Sequence, residues 1–153
     1  LLLGRVAKEA HVFTRLKEVV PNLVALNYPK SGTHFHAYMS LKKSAEGQAR
    51  HALMTLMGLD NYVKFAVAVD SDVDVFDEQE VLWALATRFR ADRDLFVVPS
   101  VLCNRLDPSS VDGMSAKMGL DATKPMTWDA DRISVPEEAA AWARSFLSGV
   151  KPV

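Results

Sequence analysis

Apolar side chains recur at Val6, Ala10, Phe13, Leu16, Val19 and Val20, spacings of three and four that gather them on one helix face, and Pro21 ends the pattern. Residues 22–28 (NLVALNY) are short and rich in strand formers, and Pro29, Lys30, Ser31 and Gly32 follow as a turn cluster, which predicts a hairpin. Residues 34–42 alternate cleanly. Phe35, Ala37, Met39 and Leu41 fall on one face and His34, His36, Tyr38, Ser40 and Lys42 on the other, the period of a strand with an apolar and a polar side.

Over 46–59, Ala49, Ala52, Leu53, Leu56 and Met57 make a helical stripe, with Gly58 where the helix is expected to stop. Residues 62–69 (YVKFAVAV) are an almost unbroken apolar run of strand length, as expected where helices cover both faces of a sheet. Asp77 precedes EQEVLWALATRF as a helix cap, with acidic residues in the first turn and Arg88 and Arg90 at the far end, as the helix dipole favours. Residues 95–98 (LFVV) read as a short buried strand closed by Pro99.

Short strands separated by helices predict an α/β fold with a mixed, partly parallel sheet, because parallel neighbours need a crossover that a helix supplies. Beyond Cys103 the periodicity fades. Residues 104–135 hold Pro108, Gly113, Gly119, Pro125 and many small polar residues, and only 136–146 reads as helix again, with Pro136 near its first turn. An irregular stretch of about thirty residues is uncommon inside a compact domain. It is expected to be an arm that packs on another chain. The expected organisation is an α/β domain over 1–128, then a C-terminal arm and helix over 129–153 that swap onto a second subunit.

Composition narrows the partners. The 153 residues are 49% hydrophobic and 24% charged with a formal net charge of −1. This excludes disorder, and a chain of this length buries an adequate core without disulfide or metal. Lys+Arg at 18 against Asp+Glu at 19 leave no electrostatic footprint for nucleic acid. No apolar run approaches the roughly 18–20 residues of a membrane span, and the start LLLGRVAKEA is too short a greasy run for a secretory leader, so a cytoplasmic location is expected. The opening Leu1, Leu2, Leu3, Gly4 lacks a polar lead-in after Met, and Leu1 is expected to mark a cut through a longer chain.

The candidate chemistry is sparse. Asp70, Asp72 and Asp74 have the opening spacing of a calcium loop, but Val75 stands where Gly is needed and Val81 where a bidentate Glu belongs, so the run reads as a strand end followed by a capped helix. His34 and His36, two apart on a strand, would leave the same face and could ligate a metal, although no third ligand is indicated and a structural role outweighs it. Cys103 has no partner cysteine and reads as a small half-buried residue. Lys42 and Lys43, ahead of a helix start, suit an anion such as a phosphate, against the simpler reading of two solvated lysines in a turn.

Longer motifs go further. VKFAVAVDSDVDVFDEQEVLWALATRFRADRDL (63–95) resembles the C-terminal half of the UbiD family, the prenylated-FMN-dependent decarboxylases, in its apolar strand, acidic D-x-D-x-D segment, V-x-W-A-x-x-T-R helix and R-D pair. LDPS (106–109), SAKMGLDAT (115–123), SLKK (40–43) and the A-x-H-A-L-M helix agree in order. The resemblance implies an enzyme that reversibly removes CO2 from aromatic or α,β-unsaturated carboxylic acids, with prenylated FMN as cofactor and a divalent metal and a potassium ion at its phosphate. It implies that the Glu-Arg-Glu catalytic network lies in an N-terminal flavin-binding half absent from these residues, so this chain supplies no catalytic residue and is inert alone. By position, Lys42 is the lysine that approaches the flavin phosphate and Phe76 lines the substrate pocket. The tail from about Asp129 resembles the family helix that packs on a neighbouring subunit, which implies a homo-oligomer. Two other readings stay open: a free-standing interaction and dimerisation subunit of a multi-protein carboxylase, and a small hydrolase using Cys103 or the His34 and His36 pair.

Overall fold

The computed structural model describes residues 2–128, 133 and 135–147. In chain order the elements are α1 (Leu2–Val19), β1 (Leu23–Asn27), β2 (His36–Leu41), α2 (Gln48–Leu59), β3 (Phe65–Asp70), α3 (Glu78–Arg88), the short α4 (Ala91–Asp94), β4 (Leu95–Leu102), β5 (Met114–Ala122) and α5 (Glu137–Leu147). The strands make one sheet in the order β1-β2-β3-β5-β4. β2, β3 and β5 are parallel, while β1 and β4 run antiparallel at the two edges. The expected mixed, partly parallel α/β sheet is what forms.

Helices α1 and α2 cover one face, where Leu16, Leu53 and Leu56 pack on Ala37, Met39, Leu41, Ala66 and Ala68. Helix α3 covers the other face, its Val81 and Ala84 against Tyr38, Val67, Val69 and Ala122. Strand β3 lies in the middle of the sheet with Ala66, Val67, Ala68 and Val69 all fully buried, which is why its sequence is continuous in apolar residues rather than alternating. After β3 the chain descends across β1 and β2, burying Val73 and Val75, before α3 climbs back towards the carboxyl end of β3.

Several expectations are corrected by this packing. The polar face of 34–42 is not a solvated one: Tyr38 and Ser40 are buried, because the descending segment and α3 cover them. Helix α2 runs through Gly58 to Leu59, and its cap is Asp60, whose N–H donates to the Leu56 carbonyl at 3.0 Å. Strand β4 runs past Pro99 to Leu102, which an edge strand tolerates, with a bulge between Val98 and Val101 and Ser100 at φ 55°. The largest correction is β5. Residues 114–122, read as part of an irregular arm, form an inner strand between β3 and β4. A two-residue turn at Asp112 and Gly113, both with positive φ, feeds it, the type I′ geometry that an Asp-Gly pair provides. The terminal helix stands where expected, whereas residues 129–132, 134 and 148–153 of the arm lie outside the described residues.

Candidate functional site

Ligands of open α/β sheets bind outside the carboxyl ends of parallel strands. Here those ends are followed by Lys42 and Lys43 after β2, Ser71 to Val75 after β3, and Thr123 to Pro125 after β5. A groove of about 340 Å³ opens there between Val24, Ala25 and Ser40 on one side and the segment 71–75 on the other. A second hollow, of about 260 Å³, lies under Lys43, Glu46, Arg93, Asp121 and Thr123.

One guanidinium organises the groove wall. Arg88, in the last turn of α3, donates from one nitrogen to Asp70 at 2.8 Å and grips both oxygens of Asp72 at 2.9 and 2.8 Å. Its side chain is 3% exposed and its carbon lies 4.9 Å from the Trp83 ring centre. The Lys124 N–H donates to the same Asp70 oxygen at 2.7 Å, so the ends of β3 and β5 and the end of α3 meet at one point. Hydrogen bonding from Arg88 holds the Asp72 carboxyl below the usual carboxylate range. The acidic run is therefore a structural ion-pair seat, and Asp77 caps α3 as expected by accepting from the Gln79 N–H at 2.9 Å.

The two lysines differ. Lys43 is nearly buried on its side chain and pairs with Glu46 at 3.1 Å. The Met126 N–H and the Lys43 ammonium together hold the Glu46 carboxyl low. Lys42 is exposed, its backbone is tied to Asn22, and its ammonium has no side-chain partner among the described residues. Phe76 is 62% exposed. The structure does not bring Lys42 and Phe76 together: Lys42 follows Leu41, opposite Leu23 at the start of β1, whereas Val75 is bonded to Asn27 at the other end of that strand. The length of β1, about 13 Å, separates the two places.

The histidines also part company. His34 lies edge-on to Tyr62 at 5.8 Å, and His36 packs on Phe65 at 4.8 Å, where burial pushes its pKa down. Among the described residues no group of three or more His, Cys, Asp and Glu gathers to hold a metal. Near His36, Tyr38 and Ser31 share the Glu78 carboxylate at 3.2 and 2.6 Å, and burial first and Glu78 second push the Tyr38 hydroxyl up to about 12. Cys103 is buried. No helix among the described residues is long and apolar enough to cross a membrane.

Sequence reasoning missed Arg88, Asp70 and Lys124 as a unit. Arg88 carried only a helix-dipole signal, and nothing in its spacing reveals carboxylates 16 and 18 residues away. At the opposite end of the sheet it missed Asp60, which accepts from the Tyr28 hydroxyl at 2.7 Å and pairs with Lys8 at 2.8 Å. It also missed Asp107 of the LDPS segment, paired with Lys64 at 2.8 Å.

Comparison with known proteins places this arrangement. The chain is 43% identical over 120 residues to an anhydromevalonate phosphate decarboxylase of Aeropyrum pernix, a match covering 78% of this chain and 28% of that protein. A decarboxylase of the same description from Methanothermobacter thermautotrophicus is 34% identical, over 82% of this chain and 30% of its own length. Among solved structures, the UbiD-class enzyme HmfF from Pelotomaculum thermopropionicum in complex with FMN superposes with a TM-score of 0.87 at 39% identity, covering 95% of this chain and 34% of that one. The 3,4-dihydroxybenzoic acid decarboxylase of Klebsiella pneumoniae follows the same fold with a TM-score of 0.76 at 25% identity, over 92% and 33% of the two chains. The chain thus spans about a third of the length of these relatives. Residues 1–122 match the family described as the 3-octaprenyl-4-hydroxybenzoate carboxy-lyase C-terminal domain, and with that match over an unbroken α/β sheet the chain belongs to the UbiD family.

Proposed function

We propose that the chain serves as the C-terminal domain of a prenylated-FMN-dependent decarboxylase, closing a site whose flavin-binding half lies on residues outside these 153. The observation that carries this reading is the groove at the carboxyl ends of β2 and β3, lined by Ser40 and residues 71–75, with an exposed Lys42 two residues beyond Ser40 that has no side-chain partner among the described residues. An ammonium there suits a phosphate as a mobile point charge. One lysine is only part of a phosphate cradle, and the remaining donors would come from the other half. When bound, the cofactor would supply the electron sink for CO2 loss. Phe76, exposed just after the 71–75 segment, would add an apolar contact for substrate.

The substrate class follows the stronger likeness. The relatives at 43% and 34% identity are named for a phosphorylated, dehydrated acid, while the dihydroxybenzoate enzyme stands at 25%. A phosphorylated unsaturated carboxylic acid is therefore favoured over an aromatic one. Helix α5 supports an oligomer: Trp142 and Phe146 stack 5.8 Å apart while 70% and 68% exposed, a surface suited to a second subunit.

The test is CO2 release by the enzyme carrying this chain together with its flavin-binding half, reconstituted with prenylated FMN and offered both acid classes. Release from the phosphorylated acid, with none from the 153-residue chain alone plus cofactor, is expected. Turnover by the isolated chain, or no release from either acid by the whole enzyme, would overturn the reading.

A further inference from the structure

The segment 71–75 forms the groove wall; Val73 and Val75 anchor it in the core, but little backbone bonding inside it holds its polar edge. Its described internal backbone bonds are turn closures, from the Val73 N–H to the Asp70 carbonyl at 3.1 Å and from the Asp77 N–H to the Asp74 carbonyl at 3.2 Å. That edge is fixed by side chains from outside, with Lys124 adding a longer contact to Asp72 at 3.5 Å. Asn27, from β1, donates to the Val75 carbonyl at 2.7 Å, and Arg88, from α3, grips Asp70 and Asp72. We propose that Arg88 is a positioning residue of the decarboxylase site, a latch that sets the shape of the groove by holding Asp70 and Asp72 on one guanidinium. This inference rests on the function proposed above.

The physical case is one of geometry and charge. A bidentate Arg–carboxylate pair fixes orientation as well as distance, which a lysine cannot reproduce. Without the guanidinium, the two carboxylates would share one site with only Lys124 to offset them, and its ammonium is 3.5 Å from Asp72. Repulsion would then swing the Asp72 end of the wall outward while Asn27 still held the Val75 end. Misplacement of about 1 Å in a site wall is enough to cost one to two orders of magnitude in turnover.

The experiment uses the whole enzyme and compares wild type with Arg88→Lys, Arg88→Met and Asp72→Asn. The last variant leaves the buried Arg88 to Asp70 pair in place and so guards against simple misfolding. For each folded variant, amide hydrogen exchange over 71–76 and the separate kcat and KM are measured. We expect exchange in 71–76 to rise about tenfold in Arg88→Met and less in Arg88→Lys, with exchange in β3 unchanged. KM or kcat per folded molecule is expected to worsen about tenfold, graded Arg88→Met beyond Arg88→Lys. A purely structural role would lower only the yield of folded enzyme. If folded Arg88→Met and Asp72→Asn keep wild-type exchange and wild-type kcat and KM, the latch is wrong. If the wild type itself releases no CO2, the function reading has failed, which is a different result.

Discussion

The Lys117 ammonium donates to the Met57 carbonyl at 2.7 Å and the Asp60 carbonyl at 3.0 Å, so the middle of β5 caps the end of α2. The last carbonyls of a helix carry partial negative charge and need donors. Here the donor arrives from a strand 57 and 60 residues further along the chain.

Replacing Lys117 by Met removes both hydrogen bonds and leaves the Met57 carbonyl unsatisfied, while the Asp60 carbonyl still accepts from the Val63 N–H at 3.3 Å, at a cost of about 1–3 kcal/mol for the unsatisfied group. Chemical denaturation at pH 7 is expected to show a loss of that order. Burial lowers the Lys117 pKa, so the folded state gives up this proton before the unfolded state does. In that window the unfolded state binds more protons, and stability rises with pH. The difference between wild type and Lys117→Met is therefore expected to widen as pH is raised from 8 towards 10; a difference that narrows would count against this assignment.

Phe96 and Gly119 face each other across β4 and β5, and the Phe96 ring occupies the space a side chain at Gly119 would need. Arg50 in turn sits over that ring at 5.4 Å. Gly119→Ala must push the ring aside and is expected to destabilise by about 1–3 kcal/mol. Adding Phe96→Leu should recover part of that loss in a double-mutant cycle, whereas additive losses would show that the ring does not meet the new methyl group.

Breaking the Arg88 pairing also has a stability signature. Arg88→Met leaves two carboxylates around a missing guanidinium; because Asp72 is 37% exposed and Lys124 still contacts both, the loss is expected to be smaller than the roughly 3–5 kcal/mol of a fully buried broken pair. Because the folded Asp72 pKa is depressed, its contribution is complete above the ordinary carboxylate pKa and fades as pH falls through the folded value. Denaturation midpoints of wild type and Arg88→Met are thus expected to converge below about pH 3.9. A constant gap from pH 7 to pH 2 would argue against the charge pairing.

Trp142 and Phe146 offer the opposite case, large side chains with no core role. Changing both to Ser is expected to leave the melting temperature of the protomer nearly unchanged, within about 0.5 kcal/mol of stability. Sedimentation of the whole enzyme should show a smaller species. An unchanged oligomer would remove α5 from the subunit interface.

Where sequence and structure diverge, long-range partners are the cause. The helical stripe of α2, the unbroken apolar run of β3 and the Asp77 cap were legible because each is a local pattern with a local cause. Strand β5 was not, since Lys117, Gly119 and Asp121 give it the look of a loop. Its lysine is buried because helix carbonyls meet it, and its glycine is covered because Phe96 lies over it. The site residues show the same division. Lys42 could be picked out beside a helix start, but its exposure, the partnering of Lys43 with Glu46 and the distance from Lys42 to Phe76 depend on how β1 pairs with β2.

The sequence by itself determined the α/β class, most of the helices and strands, and the family to which the motifs belong, because periodicity, caps and motif order act over a few residues at a time. Only the tertiary structure decided that β5 is an inner strand, that both faces of β2 are covered, and that Arg88 gathers Asp70 and Asp72. Those outcomes rest on charges and backbone groups brought together from distant parts of the chain, where burial makes an unpaired group costly and so selects the pairing.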